Sequence, residues 1–453
     1  MIIPEHIFRM YDIRGKAEKE LSENLSYALG NEFSKLIPTS YPKRIVIGRD
    51  CRLTSKAYSD ALTEGLRDAG IDVLDIGMVP TPLVYYSLFQ RKVGGGIMIT
   101  ASHNPPEDNG FKLSIGQDSL YGEYIQTLGR MIKNPSRICK NLKGSLEFED
   151  ISSDYIHFIK NNIFIDKKIS TVIDAGNGAT SNIAPRLFGA LGLKPVTLFC
   201  TPDGTFPNHH PDPTNPSSLI SLIETVKTNS SDIGFSFDGD GDRIGVVDKD
   251  GRIYWGDELL ILFARDILNK RKGATVISEV KASERLFNEI MRLGGNPLMW
   301  KTGHSLIKSK MKETKALLAG EMSGHIFFAD RYFGYDDALY AAARLSELIS
   351  NSSASISELI TGLPKAFVTP EIRINCEDKE KFFIVNKVRD HFTKLYPVNN
   401  IDGVRISFSD GWGLVRASNT GPALVLRFEA KTKERLEEIK QEVEGVLVEA
   451  SRG

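Results

Sequence analysis

The sequence predicts an α/β protein. It reads as three similar α/β domains with mixed, mainly parallel sheets, followed by a C-terminal α+β domain with an antiparallel sheet, arranged around one central cleft. Three observations carry this expectation. The order strand, helix, strand, helix, strand is written three times, and strands alternating with helices imply βαβ units and parallel pairing. Each third strand runs into a polar loop punctuated by Gly or Pro. The tail replaces this alternation with short strands joined by Gly/Asn turns. A chain of 453 residues has room for roughly three to four domains.

The first repeat opens on the β-branched run RIVIGRD (Arg44–Asp50). Ala57, Tyr58, Ala61, Leu62, Leu66 and Ala69 then recur at helical spacing, and Gly70 closes the helix. The strand IDVLDIG follows, then a helix around Leu83–Phe89, then GGGIMIT, which runs into Ala101-Ser102-His103-Asn104-Pro105. The second repeat starts at STVIDAGNG, has helices at Asn182–Leu191 and Leu219–Val226, and ends with DIGFSF running into Asp238-Gly239-Asp240-Gly241-Asp242-Arg243. The third starts at ATVISEV, has a helix through Leu286, Phe287, Ile290, Met291 and Leu293, a strand PLMW and a helix from His304. Its last strand, ALLAG, runs into Glu321-Met322-Ser323-Gly324-His325. In open sheets of this kind ligands bind beyond the carboxyl ends of the strands, so three equivalent loops are expected to aim into one cleft. In the tail, Gly403–Ser409 and Ala423–Ala430 alternate as strands, and Leu436, Ile439, Val443 and Val446 face inward from a final helix. The domains are expected at 1–147, 148–251, 252–363 and 364–453.

Lys plus Arg is 57 and Asp plus Glu is 58, a net charge of -1, which argues against a nucleic-acid surface built on bulk charge. The longest strongly apolar run, Leu259 to Ala264, is far short of the roughly 18 residues of a membrane span. The opening MIIPEHIFRMYDIRG lacks a basic region followed by an apolar core, so no signal peptide is expected. Cys51, Cys139, Cys200 and Cys376 are widely spaced and form no CxxC. A reduced cytoplasmic protein, with no nucleic-acid or membrane partner and monomeric in solution, is expected.

Asp238, Asp240 and Asp242 place three carboxylates within five residues, with glycines between them. Two unit charges about 4 Å apart repel by about 4 kcal/mol at an effective dielectric of about 20, so convergence of three calls for a cation. Hard oxygen ligands favour Mg²⁺ or Ca²⁺ over Zn²⁺. An EF-hand does not fit, because its sixth position is Arg243 and its twelfth is Lys249. The bland alternative is a solvated acidic turn.

Ser102 sits just past a third strand and could be a nucleophile or phosphate carrier. A turn hydroxyl capping backbone is the alternative. His103 is also a candidate, but neighbours in extended chain point apart, so no Ser-His dyad is expected. A Ser facing a metal-binding triple Asp would suit phosphoryl chemistry, where positioning and charge do most of the work. A phosphoserine adds about -1.5 to -2 of charge, so Arg243 and Lys112 are candidate balancing cations. Arg416-Ala417-Ser418-Asn419-Thr420-Gly421 could form an anion nest, with Arg416 supplying bidentate charge, or a plain hairpin turn. Glu321 and Ser323 could hydrogen-bond sugar hydroxyls or simply turn the chain. His304 and His325 could donate to phosphate or exchange protons, or be structural. HHPDP (His209–Pro213) reads as a rigid loop without chemistry. There is no P-loop, and Gly94/Gly96 and Gly176/Gly178 lack the third Gly of a dinucleotide fingerprint.

TASHNPPEDNGFK, DGDGDRIG, GEMSGH and RASNTGP, in this order, resemble the α-D-phosphohexomutase family over essentially the whole chain. With FRMYDIRG, KTGHSLIKSKMKET and GWGLVRASNT, the chain is most similar to the family's bacterial phosphomannomutase/phosphoglucomutase branch. The resemblance implies reversible phosphoryl transfer between the 1- and 6-positions of mannose and glucose phosphates, through a phosphoserine and a hexose 1,6-bisphosphate that reorients in the site. It implies that Ser102 carries the phosphoryl group and that one Mg²⁺ is held by Asp238, Asp240, Asp242 and an oxygen on Ser102. Arg243 would support that loop. Arg14, Lys112 and His325 would serve proton transfer and charge stabilisation. Glu321 and Ser323 would grip the sugar's O3 and O4, while Arg416, Ser418, Asn419 and Thr420 would bind the non-reacting phosphate. Tyr11, Lys281 and His304 would add substrate contacts. Met322 in GEMSGH favours mannose and glucose phosphates over the amino sugar, because the related glucosamine mutases usually have Gln there.

Overall fold

A computed structural model describes residues 3–135, 142–352, 354–419 and 421–452. It contains four sheets. In the first, the strand Arg44–Arg49 is flanked by parallel neighbours Asp72–Met78 and Gly95–Ile99, and Gly95–Ile99 pairs antiparallel with Asp108–Ile115. The second sheet repeats the order. Thr171–Asp174 lies between parallel Val196–Leu198 and Ile233–Phe237, and Ile233–Phe237 turns back antiparallel into Ile244–Asp248. In the third, Thr275–Glu279 lies between Asn296–Trp300 and Leu318–Gly320, and the latter turns back into Ile326–Phe328. The fourth sheet is antiparallel throughout, with Gly411–Ala417 at its centre between Val404–Phe408 and Ala423–Ala430.

The expected architecture is therefore the observed one: three α/β domains with mixed sheets and a C-terminal domain with an antiparallel sheet. The alternation of β-branched runs with 3.6-residue periodicity specifies it, since each sheet face needs an apolar helix stripe to cover it. The strand returning antiparallel after each third strand is what makes the sheets mixed. It also turns each candidate loop into the connection of a hairpin.

The largest apolar cluster runs through the first three domains without a break, from Val46 and Leu74 through Phe235 and Phe263 to Leu345. The helix Ala338–Ser350 lies at its centre and buries residues on every side, against strands of the second and third sheets. A helix apolar all round belongs inside a protein. Each fully buried Leu or Ile there contributes about 1.5–3 kcal/mol relative to an exposed one. Asp337 caps this helix by accepting from the Tyr340 N–H at 2.9 Å. This shared core fixes the three hairpin loops relative to one another. The tail has its own cluster, from Ile384 to Ala450. It docks on the third domain through buried arginines: Arg405 donates to the carbonyls of Val280 at 2.6 Å and Ala282 at 2.8 Å. Arg427 pairs with Asp257 at 3.0 Å. Among the described residues, no helix is long and apolar enough to cross a membrane.

Candidate active site

The Asp238–Arg243 loop turns tightly because Asp238 Oδ1 accepts from the backbone N–H groups of Asp242 at 3.0 Å and Arg243 at 3.1 Å. The three Asp side chains are fully buried, and each offers an oxygen within 4.8 Å of the others. Lys112, on the strand Asp108–Ile115, reaches across from the first domain. Its ammonium donates to Asp240 Oδ2 at 2.6 Å and to Asp242 Oδ2. Burial pulls the Lys112 ammonium down, but the Asp240 and Asp242 carboxylates outweigh it and hold it well above the ordinary lysine value. Burial also pushes Asp240 up, and Lys112 more than reverses this, so its carboxyl lies below the usual range. Burial, then the Asp240 and Asp242 charges, push Asp238 well above that range.

One lysine does not satisfy three buried acids. Asp240 Oδ1 and Asp242 Oδ1 are buried with no hydrogen-bond partner, an arrangement that normally costs about 1–3 kcal/mol or more per group. These two oxygens, beside the Asp238 carboxyl, form a hard-oxygen set that fits a divalent cation such as Mg²⁺.

Ser102 joins this loop from the first domain, and its Oγ donates to Asp238 Oδ2 at 2.6 Å. Gly239 lies so close to the Ser102 carbonyl that a Cβ there would collide with it. Ser102 is not extended: its φ is +53°. This left-handed turn brings its Oγ to 3.1 Å from His103 Nδ1, so the expectation that the two side chains point apart is corrected. It assumed an extended backbone at a residue that leaves it. Burial, then the Arg243 and Arg14 charges, hold His103 well below its ordinary value, as a neutral imidazole. Arg14 is linked to the same loop, donating to Asn104 Oδ1 at 2.7 Å and to Asp12 at 2.6 Å.

The third hairpin loop packs against the second, with Ile244 N–H donating to the Gly324 carbonyl at 3.1 Å. His325 Nε2 accepts from Arg243 Nε at 3.0 Å. Its Nδ1 lies 3.0 Å from Asp336 Oδ2 and 3.5 Å from Asp242 Oδ1. His304 stacks on His325 with centroids 5.5 Å apart, and burial, then Lys308, hold it well below its ordinary value. Glu321 Oε1 accepts the Gly303 N–H at 2.7 Å, and burial raises the Glu321 pKa. Gly303 has φ +131°, and a Cβ there would strike the Tyr11 ring, so this approach requires glycine. Ser323 lies half-buried in the same turn.

The tail reaches this group. Asn419 Nδ2 donates to Tyr11 Oη at 2.7 Å, and Tyr11 donates to the Thr302 carbonyl. Tyr11 also lies edge-on to His304 at 6.0 Å. Arg416 pairs with Asp402 at 3.0 Å, and Lys281 donates to Glu371 at 2.8 Å. Ser418 is buried beside Asn419, and Lys381 Nζ donates to its carbonyl at 2.5 Å. Thr420 lies outside the described residues. A chain of direct contacts thus runs from Asn419 through Tyr11, His304 and His325 to Arg243, Asp238 and Ser102.

Sequence reasoning missed several members of this group. Lys308 follows His304 by one helical turn, a spacing that places both on one face, and pairs with Asp336 at 3.1 Å. Asp336 forms an isolated bridge with Phe327 and has no motif around it. Thr81, at a helix start, donates to Asp240. Elsewhere, the HHPDP loop assigned no chemistry is tied to the second sheet by His209, which bonds Asp174 at 2.9 Å.

The chain is similar to known proteins along nearly its whole length. Family profiles match four segments in order: phosphoglucomutase/phosphomannomutase alpha/beta/alpha domain I over residues 5–133, domain II over 153–251, domain III over 255–367 and the C-terminal domain over 371–446. A phosphomannomutase/phosphoglucomutase of Pseudomonas aeruginosa is 45% identical over 97% of this chain and 94% of its own. A phosphoglucomutase of Neisseria meningitidis is 44% identical over 98% and 97%. The crystal structure of a phosphoglucomutase/phosphomannomutase family protein from Burkholderia thailandensis superposes with a TM-score of 0.94 at 42% identity, covering 100% of this chain and 99% of the other. Matched across all four domains and nearly its full length, the chain belongs to the phosphoglucomutase/phosphomannomutase family.

Proposed function

We propose that this chain, an isomerase of the hexose phosphate mutase kind, moves a phosphoryl group between the 1- and 6-positions of mannose and glucose phosphates, with Ser102 as the phosphoryl carrier. The observation that supports this most directly is the 2.6 Å hydrogen bond from Ser102 Oγ to Asp238, beside two buried carboxylate oxygens with no partner. A hydroxyl meant only to cap a turn has no use for a cation site.

In this reading Asp238, Asp240, Asp242 and an oxygen on Ser102 hold one Mg²⁺, which supplies positive charge to the transferring phosphoryl oxygens. The sugar hydroxyl at one end attacks the phosphorus on Ser102 and the P–Oγ bond breaks; within the Arg14, Lys112 and His325 group the hydroxyl proton passes to the His325 imidazole, while the cationic Arg14 and Lys112 stabilise the developing charge. The product is a hexose 1,6-bisphosphate. It reorients, and its other phosphoryl group returns to Ser102 Oγ by the reverse step. Arg243 braces the metal loop by its bond to His325. Neutral His103 sits close enough to Ser102 Oγ to exchange a proton with it. Glu321 and Ser323 hold O3 and O4, which lie near the axis of the reorientation. Arg416, Ser418, Asn419 and Thr420 cradle the phosphate that is not reacting, and Tyr11, Lys281 and His304 complete the substrate contacts. The tail domain moves between the two half-reactions, as lid motions commonly gate such cycles. The division at 147, 251 and 363, a monomeric state and a cytoplasmic setting belong to the same reading.

A coupled assay with mannose, glucose and glucosamine 1-phosphates and a trace of hexose bisphosphate tests it. Turnover of the two neutral sugars, one phosphate on Ser102 by intact mass, and loss of most turnover in Ser102→Ala are expected. A normally active Ser102→Ala enzyme overturns the carrier role, and preference for the amino sugar overturns the substrate.

A further inference from the structure

The left-handed turn at Ser102 is bound by a side chain from outside its own loop. Arg52 lies just past the strand Arg44–Arg49, and its side chain is buried. Its NH2 group donates to the carbonyls of Ser102 at 2.9 Å and Asn104 at 2.6 Å. Its NH1 group donates to the carbonyls of Pro105 at 2.5 Å and Asp108 at 2.9 Å. Its Nε lies 3.2 Å from Asp50, and its guanidinium sits over the Phe206 ring at 5.1 Å. Phe206 belongs to the second domain's loop, whose Pro211 packs against Gly239 of the acidic turn. Arg52 thus touches the seryl loop directly and, through Phe206, the loop that backs the carboxylates.

We propose that Arg52 is the positioning residue of the seryl loop: its planar fork draws four loop carbonyls to one side, and this holds Ser102 in its left-handed turn with Oγ facing Asp238. The proposal rests on the reading of Ser102 as phosphoryl carrier. A non-glycine residue with positive φ persists only where its surroundings over-determine it, and four carbonyls bound to one cation do so. Only a guanidinium presents that many donors in a fixed plane. A lysine has three donors radiating from a single point and cannot span the same set. Both phosphoryl transfers require the oxygen to return to one place, so the clamp acts on turnover rather than on sugar binding.

The test compares Arg52→Lys with the parent protein by three measurements: amide hydrogen exchange of residues 101–108, thermal unfolding, and the split between kcat and KM for hexose 1-phosphate. A folded Arg52→Lys protein is expected to exchange those amides at least about tenfold faster. Its kcat should fall by about 30-fold or more, with KM within about threefold. Millimolar guanidinium is expected to restore part of the turnover of Arg52→Ala. Unchanged exchange, or faster exchange with a normal kcat, overturns the proposal. Should neither Arg52 variant fold, Phe206→Leu removes the ring beneath the guanidinium, and unchanged exchange at 101–108 in that variant overturns it equally. Ser102→Ala separates the two readings: it is expected to keep the loop protected while turnover is lost. If it keeps turnover, the carrier reading fails while the exchange comparison still decides the role of Arg52.

Discussion

The loops Asp238–Arg243 and Glu321–His325 occupy the same position in two copies of one fold. Each leaves the third strand of its sheet and returns as an antiparallel neighbour, and they meet backbone to backbone at Ile244 and Gly324. Their chemistry differs. The first gathers three buried carboxylates around one lysine and leaves two oxygens without a hydrogen bond. The second carries one carboxylate, bonded to the Gly303 N–H, and lends His325 to the space between Asp242 and Asp336. The scaffold decides where a loop arrives, and the charges written into it decide what it can hold. On the proposed reading the first loop serves the metal and the phosphoryl group, and the second serves the neutral hydroxyls of the sugar.

The largest effect that can break this contrast lies in the acidic loop. Asp240→Asn is expected to lower turnover by about 10³-fold, the scale of removing one preorganised electrostatic contact to a transferring group. Mg²⁺ at about 100 times its dissociation constant should stabilise the parent protein by about 3 kcal/mol, and the variant much less, read as the shift in thermal midpoint with and without the ion. Full turnover in Asp240→Asn would mean that the two loops do not divide the work as described.

Glu321→Gln is expected to cost less, about 10–100-fold in kcat/KM, because it weakens recognition of neutral hydroxyls and not of charge. The Mg²⁺-dependent shift in thermal midpoint should stay as in the parent. Were that shift also lost, the second loop would be part of the metal site. Asp336→Asn addresses the link between the loops and is expected to lower kcat by about tenfold with little change in KM. Its carboxyl lies well below the usual range, since Lys308 and then His325 outweigh its burial, so the substitution leaves Lys308 without its countercharge. Nitrogen-15 chemical shifts of His325 should report the altered ring environment.

Most of the architecture was legible because each repeat advertises itself locally. A β-branched run, an apolar stripe and a closing glycine need no knowledge of the rest of the chain. The Asp loop was legible for a related reason, since three acids so close together demand an explanation wherever they lie. What escaped depended on distance. The positive φ of Ser102 accompanies carbonyls gathered by Arg52, fifty positions away in sequence, and no local pattern announces that. Asp336 gained its role from His304, Lys308 and His325, which the fold delivers to it from two elements. Lys308 was within reach of the sequence, one turn from His304, but a lone lysine on a helix is ordinarily a solvated side chain.

The smallest effect sharpens the contrast one residue further on. Asp337 follows Asp336, yet its carboxyl is pushed up to about 6. Burial is the main cause, only partly offset by bonds from the Tyr340 N–H and from the Tyr332 and Tyr155 hydroxyls. Among the described residues, no cation pairs with it as Lys308 does with Asp336. An acid whose folded value exceeds its unfolded value near 3.8 holds its proton more tightly in the fold. Its contribution to stability is therefore complete below that unfolded value and is lost as the pH rises through about 6. Asp337→Asn should remove this dependence. Thermal midpoints measured between about pH 4 and pH 7 are expected to fall in the parent by a few degrees relative to the variant, and taking the difference cancels the carboxylates common to both. A parent that instead gained stability over that interval would show that its charge is compensated after all, and that Asp336 and Asp337 are alike.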